Sequence, residues 1–449
     1  MKRVSRRTTA LFALVWAIVL CLLIFFTQLA VKGERWALFS ANGNIYAGGA
    51  LLAGTLLDRS GEILNEPGVG GARLYNDSRE IRTATLHAVG DAQGNIGTGA
   101  LKVYAPKLAG YSLISGVYPR KGENVYLSID AQLCRAAYKA LSGRKGAVIV
   151  ANYRTGEIYC MVSSPSFDPL NVPDLESEKY EGAYINRAIS SAYTPGSVFK
   201  LVTLAAAIEN IPDLFERTFT CDGGMTIGSD YVKCTGRHGA ISIEDALAVS
   251  CNSAFAELSL ELGAETLERY AKQLGLTESV SIDSIKTASG QFEKAGEGSA
   301  DLAWSGIGQY RDTVCPAAML RFMMAIANGG KAADLTLLRR SGIKALLPPP
   351  DKRILSAETA EKMSVLLSYN VYKSYGEANF PGLELYAKTG TAEVGGGKQP
   401  HAWFAGYITN EDCPFAFAVV VENGGSGRSA AGAVANAVLQ EAVRRYGNK

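Results

Sequence analysis

Residues 194–208, which contain Ser197 and Lys200, constrain the fold more than any other part of the sequence. A proline and a glycine directly precede Ser197, and these residue types are typical of a turn that leads into a helix. Residues 201–208 carry apolar side chains on every face, so they predict a helix buried inside a large domain. Positions three residues apart share one face of a helix, so Ser197 and Lys200 are predicted to be neighbours at its start.

This pair of side chains has a chemical interpretation. A serine hydroxyl is a weak nucleophile unless a neighbouring base takes its proton. A lysine can be that base only if its pKa falls, and both burial and the positive end of a helix lower it. Free backbone N–H groups at the helix start can also bind the oxyanion of an acyl-transfer intermediate. Residues 194–208 therefore predict acyl transfer through Ser197.

The same spacing occurs at Ser142 and Lys145, but that pair lies in a polar turn with no apolar helix behind it. Two later motifs favour the pair at Ser197 over the pair at Ser142. They are Ser250-Cys251-Asn252 after a predicted helix, and Lys388-Thr389-Gly390 in a strand-like run. In the order Ser-x-x-Lys, Ser-x-Asn, Lys-Thr-Gly, the three motifs resemble those of the penicillin-binding proteins and serine β-lactamases.

The resemblance assigns catalytic roles to three side chains. Ser197 would be the nucleophile, and Lys200 would be its general base. Ser250 would pass the proton between the catalytic groups. The backbone N–H groups of Ser197 and Thr391 would form the oxyanion hole.

Four further residues are expected to bind the substrate. The resemblance implies that Asn252 binds the substrate amide. Lys388 and Thr389 suit a terminal carboxylate, by charge and by hydroxyl. Gly390 has no side chain to block a second backbone, so a peptide is predicted to lie along this strand as an added strand.

Strand-like runs occur at both ends of the region that carries these motifs, and residues 197–330 between them are predicted to be mainly helical. The runs are residues 146–152, 157–162, 385–392, 402–407 and 415–422. Residues 430–445 are predicted to form a closing helix. These runs predict one sheet built from distant segments of the chain, with helices packed on both of its faces. The expected fold is therefore α/β, the serine β-lactamase and penicillin-binding transpeptidase fold with a central antiparallel sheet.

The chain has 449 residues, enough for this domain and a smaller one. Residues 8–31 carry no charge and are long enough to span a bilayer. Four basic residues precede them, which predicts a cytoplasmic N-terminus and a catalytic domain outside a cell membrane crossed once. A cleaved signal peptide is the alternative, but no Ala-x-Ala site follows the run cleanly.

Three regions are predicted: 1–32 as a cytoplasmic tail and signal anchor, 33–123 as a β-rich juxtamembrane pedestal, and 124–449 as the transpeptidase domain. Residues 54–61 resemble a Gly-x-Ile-x-Asp-Arg-x-Gly segment of class B penicillin-binding proteins. An ordinary strand that ends in an Asp-Arg-Ser-Gly turn would have the same sequence pattern. The pedestal is too short for the glycosyltransferase domain of class A enzymes, so a monofunctional class B protein is expected.

Seven of the eight cysteines lie outside the apolar segment, and an odd number cannot all pair within one chain. Cys221 and Cys234 flank a predicted hairpin that turns around residues 228–230. They are predicted to lie close together and to form a disulfide under oxidising conditions, with two reduced thiols as the alternative. The sequence shows no recognisable metal-ligand cluster, so neither a metal nor a cofactor is expected.

The resemblance implies a D,D-transpeptidase that cross-links peptidoglycan stem peptides through a Ser197 acyl-enzyme formed from D-Ala-D-Ala and that is acylated by β-lactams. It also implies a partner, a membrane glycan polymerase of the shape, elongation, division and sporulation type. The net charge of +2 gives no reason to expect nucleic acid as a partner.

Three other functions remain open. A D,D-carboxypeptidase would use the same residues and pass the acyl group to water. A β-lactamase needs a second base, and no Glu-x-x-Leu-Asn stretch follows Ser250. A penicillin-sensing receptor needs a cytoplasmic output domain, and only a short segment precedes the apolar run.

Overall fold

The computed structural model describes residues 2–39, 42–43, 45–47, 50–69, 72–117 and 122–447. Its helices are α1 Lys2–Ala37, α2 Arg79–Ala84, α3 Leu86–Val89, α4 Ala100–Val103, α5 Ala105–Leu108, α6 Ala131–Leu141, α7 Lys200–Asn210, α8 Ile243–Ala248, α9 Asn252–Gln273, α10 Ala300–Ile307, α11 Pro316–Ala327, α12 Ile343–Leu346, α13 Ala357–Asn370 and α14 Ala433–Tyr446. Its strands are β1 Tyr46–Ala47, β2 Ala50–Leu51, β3 Thr55–Leu57, β4 Ile63–Pro67, β5 Arg73–Tyr75, β6 Asn124–Tyr126, β7 Gly146–Asn152, β8 Ile158–Ser164, β9 Phe219–Cys221, β10 Gly224–Ile227, β11 Asp230–Lys233, β12 Gly239–Ile241, β13 Ser281–Ile282, β14 Ile285–Lys286, β15 Lys331–Ala333, β16 Asp351–Arg353, β17 Leu385–Ala392, β18 His401–Ile408 and β19 Phe415–Val421.

The N-terminal helix α1 is long and apolar enough to cross a membrane. Its most apolar window has a mean hydropathy of 2.8, and none of that window is buried against the rest of the protein. A helix of about 20 apolar residues spans the hydrocarbon core of a bilayer. The chain therefore carries one N-terminal membrane-anchor candidate within the described residues.

The region after α1 is built on a four-stranded sheet in the order β5-β4-β3-β6. Four short helices, α2 to α5, accompany this sheet, so the prediction of a β-rich pedestal is only partly right. Ser78 caps the first of these helices by accepting a hydrogen bond from the N–H of Ile81. Such short helices are stabilised by packing more than by local sequence. The strand β6 pairs with β3, so residues 124–126 complete this sheet.

The Asp-Arg-Ser-Gly turn after β3 ties this region to the rest of the protein. The Asp58 carboxylate accepts a hydrogen bond from the backbone N–H of Ala131 at the start of α6. The Arg59 guanidinium donates to the carbonyl of Ser128 at 2.8 Å. Its central carbon also lies 3.4 Å from the centre of the Tyr159 ring, a cation–π contact. The motif at residues 58–61 therefore connects the four-stranded sheet to the start of α6 and to β8.

A five-stranded sheet in the order β17-β18-β19-β7-β8 forms the centre of the second region, and every neighbouring pair is antiparallel. All seven residues of β19 are buried, as expected for a central strand covered on both faces. Helices α11 and α13 pack on one face, and α6 and α14 pack on the other. The predicted α/β fold, a central antiparallel sheet flanked by helices, is confirmed.

Helices α7 to α13 lie between the outer strands β8 and β17 in the sequence, together with four small two-stranded sheets. The first eight residues of α7 are all buried, because its apolar side chains cover every face. This core helix therefore fixes Lys200, its first residue, inside the protein.

Candidate active site

Ser197 lies in a 3-10 turn, Gly196–Val198, that leads directly into α7. Gly196 has a φ of 56°, and a Cβ atom there would lie 2.5 Å from the carbonyl oxygen of Thr391. Only glycine fits this position without strain, because it combines a left-handed backbone with close contact to β17. The turn before α7 is therefore packed against the strand that carries the Lys-Thr-Gly motif.

Lys200 connects the first motif to the second. Its Nζ donates hydrogen bonds to the carbonyl of Ser250 at 2.6 Å, to the hydroxyl of Ser250 at 3.1 Å and to Oδ1 of Asn252 at 2.7 Å. The side chain is fully buried, and burial lowers the pKa of Lys200 to about 7. At neutral pH a large fraction of this amine is thus uncharged and can accept a proton.

Ser250 lies in a tight connection between α8 and α9. Its φ is 56°, a left-handed conformation that a residue other than glycine adopts only when its surroundings hold it there. Asn252, the first residue of α9, donates from its side-chain amide to the carbonyl of Lys233 at 2.8 Å. The Ser-x-Asn turn is therefore held from two sides, by Lys200 and by the end of β11.

Lys388 lies on β17 and is 1% exposed. Burial lowers the pKa of Lys388 well below its usual value, and the nearby charge of Lys200 lowers it further. The amine of Lys388 is therefore charged most readily when an anionic group binds beside it. A substrate that carries a carboxylate suits this position.

Thr389 is held by a tyrosine that the sequence analysis did not single out. The Tyr375 hydroxyl accepts a hydrogen bond from the backbone N–H of Thr389 at 2.7 Å and donates to its side-chain oxygen at 3.0 Å. Asn370 donates to the carbonyl of Ala387 at 2.6 Å on the same strand. These partners occupy part of the free edge of β17.

Gly390 permits a close backbone contact, but the neighbour belongs to the protein itself. A Cβ atom at Gly390 would lie 2.6 Å from the carbonyl oxygen of Pro195 and 3.1 Å from Cβ of Trp403. The indole N–H of Trp403 donates to the carbonyl of Thr194 at 2.9 Å. Gly390 therefore lets the turn that carries Ser197 lie against β17, and pairing of a peptide along β17 stays a prediction.

The backbone N–H of Thr391 points away from β18, to the free edge of β17. The N–H of Thr389 points away from β18 towards Tyr375, and backbone groups two residues apart on a strand point the same way. The carbonyl of Thr391 lies on that side as well, where it accepts a hydrogen bond from Gln309 at 3.2 Å. The edge of β17 thus presents the N–H of Thr391 on the side where the Thr391 carbonyl contacts the turn at Gly196.

The chain matches a known protein family over this whole arrangement. A family model described as the penicillin binding protein transpeptidase domain covers residues 146–443. The chain belongs to this family. Among curated relatives, the peptidoglycan D,D-transpeptidase PbpA of Mycolicibacterium smegmatis is 30% identical over an alignment of 380 residues, and the match covers 76% of this chain and 75% of that protein. Similarity to such relatives places the chain among the class B penicillin-binding proteins.

Solved structures of penicillin-binding proteins share the fold. The D,D-transpeptidase domain of a peptidoglycan glycosyltransferase from Eggerthella lenta superposes with a TM-score of 0.75 at 26% identity and covers 88% of this chain and 98% of that chain. Penicillin-binding protein A from Mycobacterium tuberculosis, in its ceftriaxone acyl-enzyme complex, gives a TM-score of 0.73 at 25% identity, with coverages of 87% and 98%.

The second Ser-x-x-Lys pair of this penicillin-binding protein lies elsewhere. Ser142 ends α6 in a left-handed conformation, and Lys145 forms an ion pair with Glu181 at 2.5 Å. A cavity of 1210 Å³ also lies away from the motifs and is lined in part by Tyr126 and Arg339. The chemistry of the side chains, more than the size of a cavity, therefore identifies the candidate active site.

A group of metal-ligand side chains beside Asn252 is the main feature that the sequence analysis missed. Cys221, Cys234, His238 and Cys251 approach one another there. The predicted closeness of Cys221 and Cys234 is found. Both are free thiols in a larger cluster, which is the stated alternative to the disulfide predicted for oxidising conditions. The spacing Cys-x12-Cys-x3-His-x12-Cys was the available signal.

Proposed function

We propose that this class B penicillin-binding protein is a peptidoglycan D,D-transpeptidase that works through an acyl-enzyme on Ser197. The observation that carries the proposal is the buried amine of Lys200, with its pKa near 7 and its hydrogen bonds to Ser250 and Asn252. A relative named as a peptidoglycan D,D-transpeptidase and a related acyl-enzyme structure support it.

Acylation begins with proton transfer. Uncharged Lys200 takes the proton of the Ser197 hydroxyl, and the serine oxygen attacks the carbonyl carbon between the two D-alanines of a stem peptide. The oxyanion that forms accepts hydrogen bonds from the backbone N–H groups of Ser197 and Thr391. The proton then passes through Ser250 to the leaving amine, and the terminal D-alanine departs.

Substrate binding uses the same three motifs. The terminal carboxylate is bound by the charge of Lys388 and the hydroxyl of Thr389, which Tyr375 holds in place. The side chain of Asn252 binds an amide of the stem peptide. An amine of a neighbouring stem peptide then attacks the ester carbonyl carbon, and Ser197 regains its proton.

The remaining assignments concern where the enzyme works. We propose residues 1–32 as a cytoplasmic tail and anchor, 33–123 as a pedestal and 124–449 as the transpeptidase domain outside the membrane, whose first strand, β6, completes the pedestal sheet. The basic residues before the apolar run support this orientation. A membrane glycan polymerase is the proposed partner, because a cross-linking enzyme needs newly made glycan strands nearby.

Labelling with a fluorescent penicillin tests the acyl-enzyme. The tag is expected on the peptide that contains Ser197, and Ser197→Ala should abolish it, whereas Ser142→Ala should label like the wild type. A tag on the Ser142 peptide would show that the nucleophile is wrong.

Mass spectrometry of products made from a lipid-linked substrate then tests the acceptor. Cross-linked dimers are expected in the presence of acceptor stem peptides. Release of D-alanine without dimers would instead identify a D,D-carboxypeptidase.

A further inference from the structure

Four metal-ligand side chains meet directly beside the Ser-x-Asn turn. Cys221 ends β9, Cys234 follows β11, His238 lies in the loop before β12, and Cys251 precedes α9. Their ligand atoms all lie within 4.8 Å of one another. The three cysteines are buried, and His238 is half-buried. Four distant positions of the chain thus converge on one small volume.

The distances fit a tetrahedral ion. With Zn–S bonds of about 2.3 Å and Zn–N bonds of about 2.1 Å, a regular tetrahedron places two sulfurs about 3.8 Å apart and a sulfur and a nitrogen about 3.6 Å apart. Sγ of Cys234 lies 3.8 Å from Sγ of Cys251 and 3.6 Å from Nδ1 of His238. Three cysteines and one histidine are also a common ligand set of structural zinc sites. We propose that Cys221, Cys234, His238 and Cys251 bind one zinc ion.

Hydrogen bonds to the sulfur atoms support this assignment. The backbone N–H of Asn252 donates to Sγ of Cys234 at 3.1 Å, and the hydroxyl of Ser253 donates to Sγ of Cys221 at 3.3 Å. Both donors lie in the first turn of α9, where the positive end of a helix favours thiolates. Donors of this kind orient metal ligands and tune their basicity.

The ion is structural, because four protein ligands leave no open position for substrate. Cys251 is the central residue of the Ser-x-Asn motif, and Cys234 directly follows Lys233, whose carbonyl accepts a hydrogen bond from Asn252. Zinc would therefore clamp the end of β11 to the Ser-x-Asn turn. The clamp would hold Ser250 in its left-handed conformation and Asn252 within reach of Lys200.

Metal analysis of the purified full-length chain tests the site. The protein is extracted in mild detergent without added metal, dialysed against metal-free buffer and analysed for zinc and iron by mass spectrometry. About one zinc ion per chain is expected. Cys234→Ser and His238→Ala should each lose zinc under the same dialysis, because a missing ligand lowers metal affinity by more than about 10-fold. Cys315→Ser, which changes another buried cysteine, should keep its zinc.

Cobalt gives a readout that does not depend on variants. Cobalt-exchanged wild type should show thiolate-to-cobalt charge-transfer absorption and the intense visible bands of a tetrahedral ion. Wild-type protein that holds no zinc, holds iron in its place, or contains a disulfide among the cysteines of the cluster would overturn the zinc assignment.

The consequence for catalysis rests on the proposed function and is measured separately. Removal of zinc by a chelator should slow penicillin acylation at least about 10-fold, and the label should stay on Ser197. Unchanged acylation of zinc-free protein would overturn the proposal that zinc holds the Ser-x-Asn turn in place. A label elsewhere than Ser197 would overturn the proposed function. The zinc content is measured without penicillin, so it tests the metal site independently of both.

Discussion

The side-chain amine of Lys200 lies 2.7 Å from Oδ1 of Asn252, although 52 positions separate the two residues in the sequence. This hydrogen bond joins the first turn of α7 to the first turn of α9. The carbonyl of Ser250 accepts a second hydrogen bond from the same amine. The base of the proposed reaction is therefore oriented by the Ser-x-Asn motif.

Lys200→Arg is predicted to lower the penicillin acylation rate by about two to four orders of magnitude, because arginine keeps the charge but does not give up a proton. Stopped-flow fluorescence with a reporter β-lactam measures this rate. Lys145→Arg is the control, since Lys145 lies on the surface in an ion pair and should acylate at the wild-type rate. A rate in Lys200→Arg close to that of the wild type would rule out the role of Lys200 as a base.

The pH dependence of acylation follows from the lowered pKa of Lys200, about 7. Below this value the amine is charged and cannot accept the serine proton, so the rate should fall about tenfold per pH unit. Above it the amine is neutral, and the rate should reach a plateau. Acylation rates measured at several pH values on both sides of neutrality, with folding checked by circular dichroism, test this. A flat profile through pH 7 would contradict it.

Much of the site could be predicted from the sequence, because each motif carries its own chemistry. The apolar run after Lys200 predicts a buried helix, and burial is the physical cause of its lowered pKa. The strand-like runs predict the central sheet for a similar reason: residues such as those of β19 are apolar at every position.

Features that depend on tertiary contacts could not be predicted. Tyr375 is 14 positions before Thr389 and reaches it only because a π-helical turn, Val371–Tyr375, follows α13. The cysteine and histidine cluster combines residues from two strand ends, a loop and a helix start. Twelve residues separate Cys221 from Cys234, and twelve separate His238 from Cys251. This spacing differs from the short repeats, such as Cys-x2-Cys, by which zinc sites are recognised in sequences.

Tyr375→Phe is predicted to weaken the Lys-Thr-Gly strand. The variant leaves the backbone N–H of Thr389 without its partner, and a buried unpaired donor costs about 1–3 kcal/mol. We expect a lower melting temperature and an acylation rate reduced about tenfold. Tyr372→Phe is the matched control, since Tyr372 is 67% exposed and should behave like the wild type. Equal melting temperatures for the two variants would contradict the supporting role of Tyr375.

Gly390→Ala is predicted to displace the turn that carries Ser197. The added Cβ would lie 2.6 Å from the carbonyl oxygen of Pro195, so the turn or β17 must move. A shift of about 1 Å in a catalytic group can reduce a rate about 100-fold. Acylation rates should show this loss, while Gly296→Ala, where the nearest atom lies 4.0 Å away, should show none. Normal acylation in Gly390→Ala would mean that the glycine is not needed for this packing.

The lifetime of a bound penicillin separates a transpeptidase from a β-lactamase, because both form the same acyl-enzyme. Rapid hydrolysis needs a base that remains free to activate water after acylation. Among the residues that the structure describes, the hydrogen bonds of Lys200 go to Ser250 and Asn252, and none of these partners is a carboxylate. The adduct is therefore expected to persist for minutes or longer once free drug is removed. Intact-protein mass spectrometry over time measures it, with Ser197→Ala as the control that forms no adduct. Turnover within seconds, with no adduct at steady state, would identify a β-lactamase.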